Sequence, residues 1–157
     1  MIILLDLNYT LVANSPRHGA TPERMEKRLA DEQYRQWLIE MLRSFEVLLV
    51  TARPEKWQEA TMLRIQSQTG WIPANYFFAP AGWFNPPAIK RRLLMEEILP
   101  NYGRRRRYLA IESNPKTREM YAEFKIPSLW VNKEGNGLRD EVGSLEHLTL
   151  TYRPRHD

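Results

Sequence analysis

The chain contains no cysteine, and that absence alone removes three kinds of chemistry. There is no disulfide scaffold, no thiolate metal site and no cysteine nucleophile. Glycine is scarce, at seven in 157 residues, and no repeat or low-complexity linker breaks the pattern. The histidines His18, His147 and His156 lack the i, i+4 spacing of a paired metal site, so none is given a catalytic role. No apolar stretch approaches the roughly 20 residues needed to cross a bilayer. The opening run Met1-Ile2-Ile3-Leu4-Leu5 is cut off by Asp6, too early for the apolar segment of a secretion signal. These absences lead to an expectation of a soluble cytoplasmic protein with no membrane partner.

What is present is ordinary globular composition, with 43% hydrophobic and 27% charged residues. A chain of this length suits one domain and buries roughly 70% of the surface it exposes unfolded. The expectation is a single domain over 1–157, its core over about 1–132 and an extension at 133–157. Lys and Arg total 23 against 19 Asp and Glu, and 17 of those cations are arginine. Arginine recognises phosphate in a planar, bidentate way where lysine acts as a point charge. A net charge of +4 is mild, so it is compatible with an anionic partner without requiring one.

Apolar runs alternate with helical patterns along the chain. Ile2–Leu5, Val47–Val50, Tyr76–Phe78, Tyr108–Ile111 and Ser128–Val131 read as five strands. Thr21-Pro22-Glu23 reads as a helix start, and apolar positions from Met25 to Phe45 then recur at helical spacing, predicting one long amphipathic helix. A second helix carries Trp57, Ala60, Met62 and Leu63 and closes at Gly70. A third runs from about Ala88 to Leu99, where Pro100 stops it, and a fourth from Pro115 to Phe124. Strands alternating with helices in this way predict βαβ units: an α/β, three-layer, Rossmann-like parallel sheet of about five strands, with helices on both faces. In such sheets ligands bind beyond the carboxyl ends of the strands.

The residues at those ends carry chemistry. Asp6 and Asn8 follow the first strand, Thr51 the second and Glu112 the fourth, while Lys90 begins the helix before the fourth. Two acids suit a Mg²⁺ ion, and a lysine with a hydroxyl suits a phosphate. An aspartate can itself be the nucleophile in phosphoryl transfer.

In order, these stretches resemble the haloacid dehalogenase (HAD) superfamily. Ile3-Leu4-Leu5-Asp6-Leu7-Asn8-Tyr9-Thr10-Leu11-Val12 is similar to its first motif, except at Asn8. Val47-Leu48-Leu49-Val50-Thr51, Lys90 and Leu109-Ala110-Ile111-Glu112-Ser113-Asn114 resemble the second, third and fourth, the last only in part. Within the superfamily, Thr51-Ala52-Arg53-Pro54 and Ile111 through Pro115 look most like small nucleotidases and polynucleotide-end phosphatases. The resemblance implies a HAD-like domain with little or no cap and a phosphohydrolase using Asp6 as nucleophile. It implies Mg²⁺ held by Asp6, the Asn8 carbonyl and Glu112, and phosphoryl oxygens bound by Thr51 and Lys90. The substrate would be a phosphorylated small molecule, a nucleotide or a nucleic-acid end.

Three departures weaken that reading. Asn8 stands where the family has an acid, and an amide cannot deliver a proton, a loss worth about 10²–10⁴-fold. Glu112 adds a methylene, and Ser113 replaces the second acid of the usual pair. The alternative is a catalytically weak HAD-like domain that binds phosphates, nucleic acid or a protein. Thr10, Arg53 and Trp83 are candidate substrate contacts. For Arg53 a helix-start salt bridge is the competing account, and for Trp83, with Phe84, loop packing competes with base stacking. The run Arg104-Arg105-Arg106-Arg107 falls before the fourth strand, at the end opposite the proposed site. It is either a solvated turn or a phosphate-backbone patch.

Overall fold

The computed structural model describes residues 1–15, 22–82 and 84–131. Trp83, the three histidines, Thr21 and the extension at 133–157 lie outside the described residues. Five strands form one wholly parallel sheet: β1 (Ile2–Leu5), β2 (Glu46–Pro54), β3 (Asn75–Ala79), β4 (Tyr108–Glu112) and β5 (Ser128–Trp130). Their spatial order is β3-β2-β1-β4-β5, so the first strand is central and the connections cross over it. The α/β expectation holds.

The period of two along each strand builds two cores. Ile3, Leu5, Val47, Leu49, Leu109 and Ile111 face one side. There they pack on helix α2 (Gln36–Leu42), through Leu38, Ile39 and Leu42, and on Ile65 of α3 (Gln58–Thr69). Ile2, Leu4, Leu48, Val50, Tyr108 and Ala110 face the other. They meet Ile89 and Leu93 of α4 (Pro86–Leu93) and Met120 and Tyr121 of α6 (Pro115–Glu123). Because β1 is buried on both faces, all four of its residues are apolar.

Several predicted elements change shape. The long helix from Met25 to Phe45 is two helices, α1 (Pro22–Asp31) and α2. The chain between them is drawn out to pair with the segment after β1. Ala13 N–H donates to the Gln33 carbonyl at 2.8 Å, and Arg35 N–H to the Leu11 carbonyl at 2.9 Å. Those bonds replace helical ones, and they tether α1 to the region behind Asp6. Pro100 does not end its helix either. A wide turn at Leu94–Ile98 precedes α5 (Leu99–Tyr102) and accommodates a ring that would otherwise meet the carbonyl of Glu96. Gly70 does close α3, in the left-handed conformation at φ 64°.

Candidate active site

Register brings the first two carboxylates together. Leu5 pairs with Ile111 across β1 and β4, so the next residues, Asp6 and Glu112, leave neighbouring strands at one level. Lys90 reaches them from α4, with Nζ 2.5 Å from Asp6 Oδ1 and 2.6 Å from Glu112 Oε2. The other carboxylate oxygens are also engaged. Asp6 Oδ2 accepts from the Thr10 hydroxyl at 2.7 Å. Glu112 Oε1 accepts from the backbone N–H groups of Ser113 and Asn114, at 2.9 and 3.0 Å.

Two carboxylates and one ammonium leave a net charge of −1 in a buried place, and the titration behaviour follows. Burial and then the charge on Asp6 push the Glu112 carboxyl up to about 7, with Lys90 pulling the other way. Burial opposes the charge on Lys90, but Asp6 and Glu112 outweigh it and raise its pKa. Tyr121, buried beside them, is pushed up by burial, partly offset by Lys90.

A cavity of about 190 Å³ opens at this cluster, lined by Asp6, Asn8, Tyr9, Lys90, Glu112 and Thr117 among others. Thr117 is fully buried, and its Oγ1 has no hydrogen-bond partner among the described residues. An orphaned hydroxyl beside a polar cavity is a group with capacity to spare. Asn114 caps α6 through Lys116 N–H at 3.0 Å, so the amino end of that helix, favourable for an anion, meets the same space.

The donors also suit a hard cation. Among the described residues, the Asn8 carbonyl accepts only a long 3.3 Å bond from Ser113 Oγ. With Asp6 and Glu112 it makes an all-oxygen set, the chemistry Mg²⁺ prefers. Among the described residues, no group of three or more Asp, Glu, His or Cys side chains converges as a metal site. The candidate set therefore has two carboxylates and a carbonyl rather than an acidic cluster.

Other expected residues lie differently. Thr10 is fully buried and orients Asp6 instead of lining the cavity. Thr51 is also fully buried, its Oγ1 accepting from Arg53 N–H at 3.0 Å, while its neighbour Ala52 forms the wall. Arg53 is 3% exposed. It is in a buried ion pair with Glu32, and it donates to Thr61 Oγ1 at 2.9 Å and to Asn8 Oδ1 at 3.0 Å. Arg28 of α1 also donates to Asn8 Oδ1, at 2.8 Å. Desolvation and the nearby Arg53 lower the pKa of Arg28. Sequence reasoning did not find Arg28, Glu32 or Thr117. Nothing local marks them, since Glu32 meets Arg53 across 21 positions.

The arginine run sits at the other end of the sheet, as expected. The Arg107 carbonyl accepts from Ile2 N–H at the start of β1, and Arg106 pairs with Glu46 at 2.8 Å. Arg104, Arg106 and Arg107 line a separate cavity of about 450 Å³ there, larger than the one at Asp6.

No protein-family model matches the chain, and no curated protein matches its sequence. Solved structures do. Chains from "Structure of Pnkp1/Rnl/Hen1 complex" and "Structure of the Pnkp1/Rnl/Hen1 RNA repair complex" each align with a TM-score of 0.66, at 18% identity over 83% of this chain. The fold is shared. This chain spans under half of theirs, 44% and 42%. No helix among the described residues is long and apolar enough to cross a membrane.

Proposed function

We propose that the protein transfers a phosphoryl group from a nucleotide or nucleic-acid end to Asp6 and then to water, as a HAD-type, Mg²⁺-dependent phosphohydrolase. The observation that carries this reading is the junction of Asp6, Lys90 and Glu112 at adjacent strand ends, opening on a cavity with an unpartnered Thr117 hydroxyl. Asp6 is oriented by Thr10 and Lys90 with its carboxylate against that space. Lys90 is held charged and can turn from a carboxylate to a phosphoryl oxygen. Asp6, Glu112 and the Asn8 carbonyl would hold Mg²⁺, which neutralises phosphoryl charge when bound. One structural neighbour belongs to a Pnkp1/Rnl/Hen1 RNA repair complex, which supports a nucleic-acid-end substrate.

The test is phosphate release from p-nitrophenyl phosphate and from nucleotide and oligonucleotide phosphates, with Mg²⁺, comparing wild type with Asp6→Asn. Loss of the nucleophile should cost at least about 10³-fold. Wild-type release no faster than Asp6→Asn would remove the enzyme reading. The second reading, a binding module, is favoured by Asn8, and it predicts retained phosphate binding without release.

A further inference from the structure

Asn8 stands where the cavity wall meets a buried cationic cluster. Its Oδ1 accepts from Arg28 at 2.8 Å and from Arg53 at 3.0 Å. Guanidinium groups only donate, so the amide orientation is settled and the Nδ2 hydrogens are what the side chain can offer the cavity. Glu32 accepts from Arg53 and lies 3.6 Å from Arg28 Nε, offsetting one of the two positive charges. Nε of Arg28 and of Arg53 is buried without a hydrogen-bond partner among the described residues. This corner therefore attracts negative charge and donates hydrogen bonds.

Among the described residues that line the cavity, none is a good proton donor. Lys90 Nζ is committed to hydrogen bonds with Asp6 Oδ1 and Glu112 Oε2, at 2.5 and 2.6 Å. Glu112 would be a ligand of Mg²⁺ in the proposed reaction, and its oxygens already accept from Lys90 and from the Ser113 and Asn114 N–H groups. The remaining side-chain O–H groups there, on Tyr9, Ser113 and Thr117, are a phenol and two alcohols, none of them a carboxylic acid.

We propose that Asn8, oriented by Arg28 and Arg53, selects substrates whose leaving group departs as a stable oxyanion: phosphoanhydrides, such as the phosphate chain of a nucleotide or of a nucleic-acid 5′ end, and acyl phosphates. Alkyl phosphate esters are disfavoured. The inference rests on phosphoryl transfer to Asp6. In the first step an Asp6 carboxylate oxygen bonds to phosphorus, the bond to the leaving oxygen breaks, and its electron pair stays on that oxygen. A phosphate leaving group, with a second pKa of about 6, carries the pair without a proton. An alkoxide, whose conjugate acid is close to water at about 16, does not. In the second step a water oxygen bonds to phosphorus, the bond to Asp6 breaks, and the carboxylate is restored. Both water protons leave on dihydrogen phosphate. The amide cannot accept one of them, so this step is slow and phosphorylated Asp6 accumulates.

The experiment measures kcat/KM with Mg²⁺ for p-nitrophenyl, phenyl and methyl phosphate, with Asp6→Asn as background. Acetyl phosphate and inorganic pyrophosphate serve as oxyanion-leaving probes. Without a general acid the rate should fall on the order of 10³-fold between the p-nitrophenyl and phenyl esters. After acid quenching, intact protein exposed to acetyl phosphate should carry one added phosphoryl group, absent from Asp6→Asn. Arg28→Met, with folding checked by circular dichroism, should slow pyrophosphate cleavage about tenfold, and Arg28→Lys should recover part of it. Rates within about tenfold across the ester series, still dependent on Asp6, would overturn the selectivity and leave the proposed function standing. An unchanged Arg28→Met would overturn the role of the arginines. If no probe shows Asp6-dependent release or labelling, the proposed function falls and this inference falls with it.

Discussion

Two three-charge clusters flank the segment from Asp6 to Asn8, all their members buried except the partly buried Arg28, and they are opposite in sign. Asp6, Glu112 and Lys90 carry two acids and one base; Arg28, Arg53 and Glu32 carry two bases and one acid. The first lines a cavity and has a spare hydroxyl and a weakly engaged carbonyl beside it. The second is closed around Thr61, Tyr34 and Asn8 and joins α1 to the end of β2. The same physics gives a site in one case and a brace in the other. What differs is whether the surplus charge has somewhere to act. The acidic surplus faces open space, whereas the basic surplus reaches that space only through the amide of Asn8.

The comparison breaks most visibly at Glu32. Glu32→Gln leaves two desolvated guanidiniums without their counter-charge and should cost about 3–5 kcal/mol, measured by urea unfolding. Removing Arg53 as well, in the double variant Glu32→Leu with Arg53→Met, should recover a large part of that loss. A single-variant cost below about 1 kcal/mol would mean the brace is not a brace.

Asn8→Asp sharpens the contrast, because it extends the acidic cluster into the basic one. The carboxylate would be an ion-pair partner of both arginines, available to accept a proton from water but not to donate one. Turnover after the first phosphoryl transfer should rise about 10²-fold, and the phosphorylated form should vanish from quenched samples. The leaving-group dependence should stay steep.

Mg²⁺ tests the acidic cluster alone. Glu112 has a raised pKa in the folded chain, chiefly from burial and then from Asp6. Between the ordinary carboxyl range and about pH 7, the folded protein thus holds a proton that the unfolded chain has lost. Stability in chelator should fall as pH rises through that window. Magnesium at a hundred times its Kd should raise Tm by roughly 5–10 °C at pH 8, and by less at pH 5. An equal rise at both pH values would remove Glu112 from the metal site.

The smallest effect is expected at the opposite pole of the sheet. Arg105 is exposed in the turn before β4, and Arg105→Ala should change stability by no more than about 0.5 kcal/mol. A larger loss would show that the arginine run is more than a solvated turn.

Local pattern carried most of the architecture. Apolar runs bounded by Asp6 and Glu112 marked two strand ends, because a parallel strand buried on both faces must change character where it leaves the sheet, whereas β2 runs on past Thr51 to Pro54. The same pattern failed at Gln33–Arg35, where helical spacing continues but backbone groups are claimed by Leu11 and Ala13. It failed again at Pro100, which a widened turn accommodates. Arg53 was visible as a residue near the site. Its partners Glu32 and Thr61 were not, since an ion pair between distant positions leaves no periodic trace.

By itself, the sequence determined the strand–helix alternation, the parallel sheet and the placement of Asp6, Lys90 and Glu112 at one end, all consequences of short-range periodicity and chain direction. Only the tertiary structure decided which charges pair. It gave Lys90 to two carboxylates, buried Arg53 against Glu32 and turned the Asn8 carbonyl oxygen of the side chain toward two guanidiniums. The reason is desolvation. Once buried, a charge must find a partner wherever the fold brings one, and sequence separation plays no part in that choice.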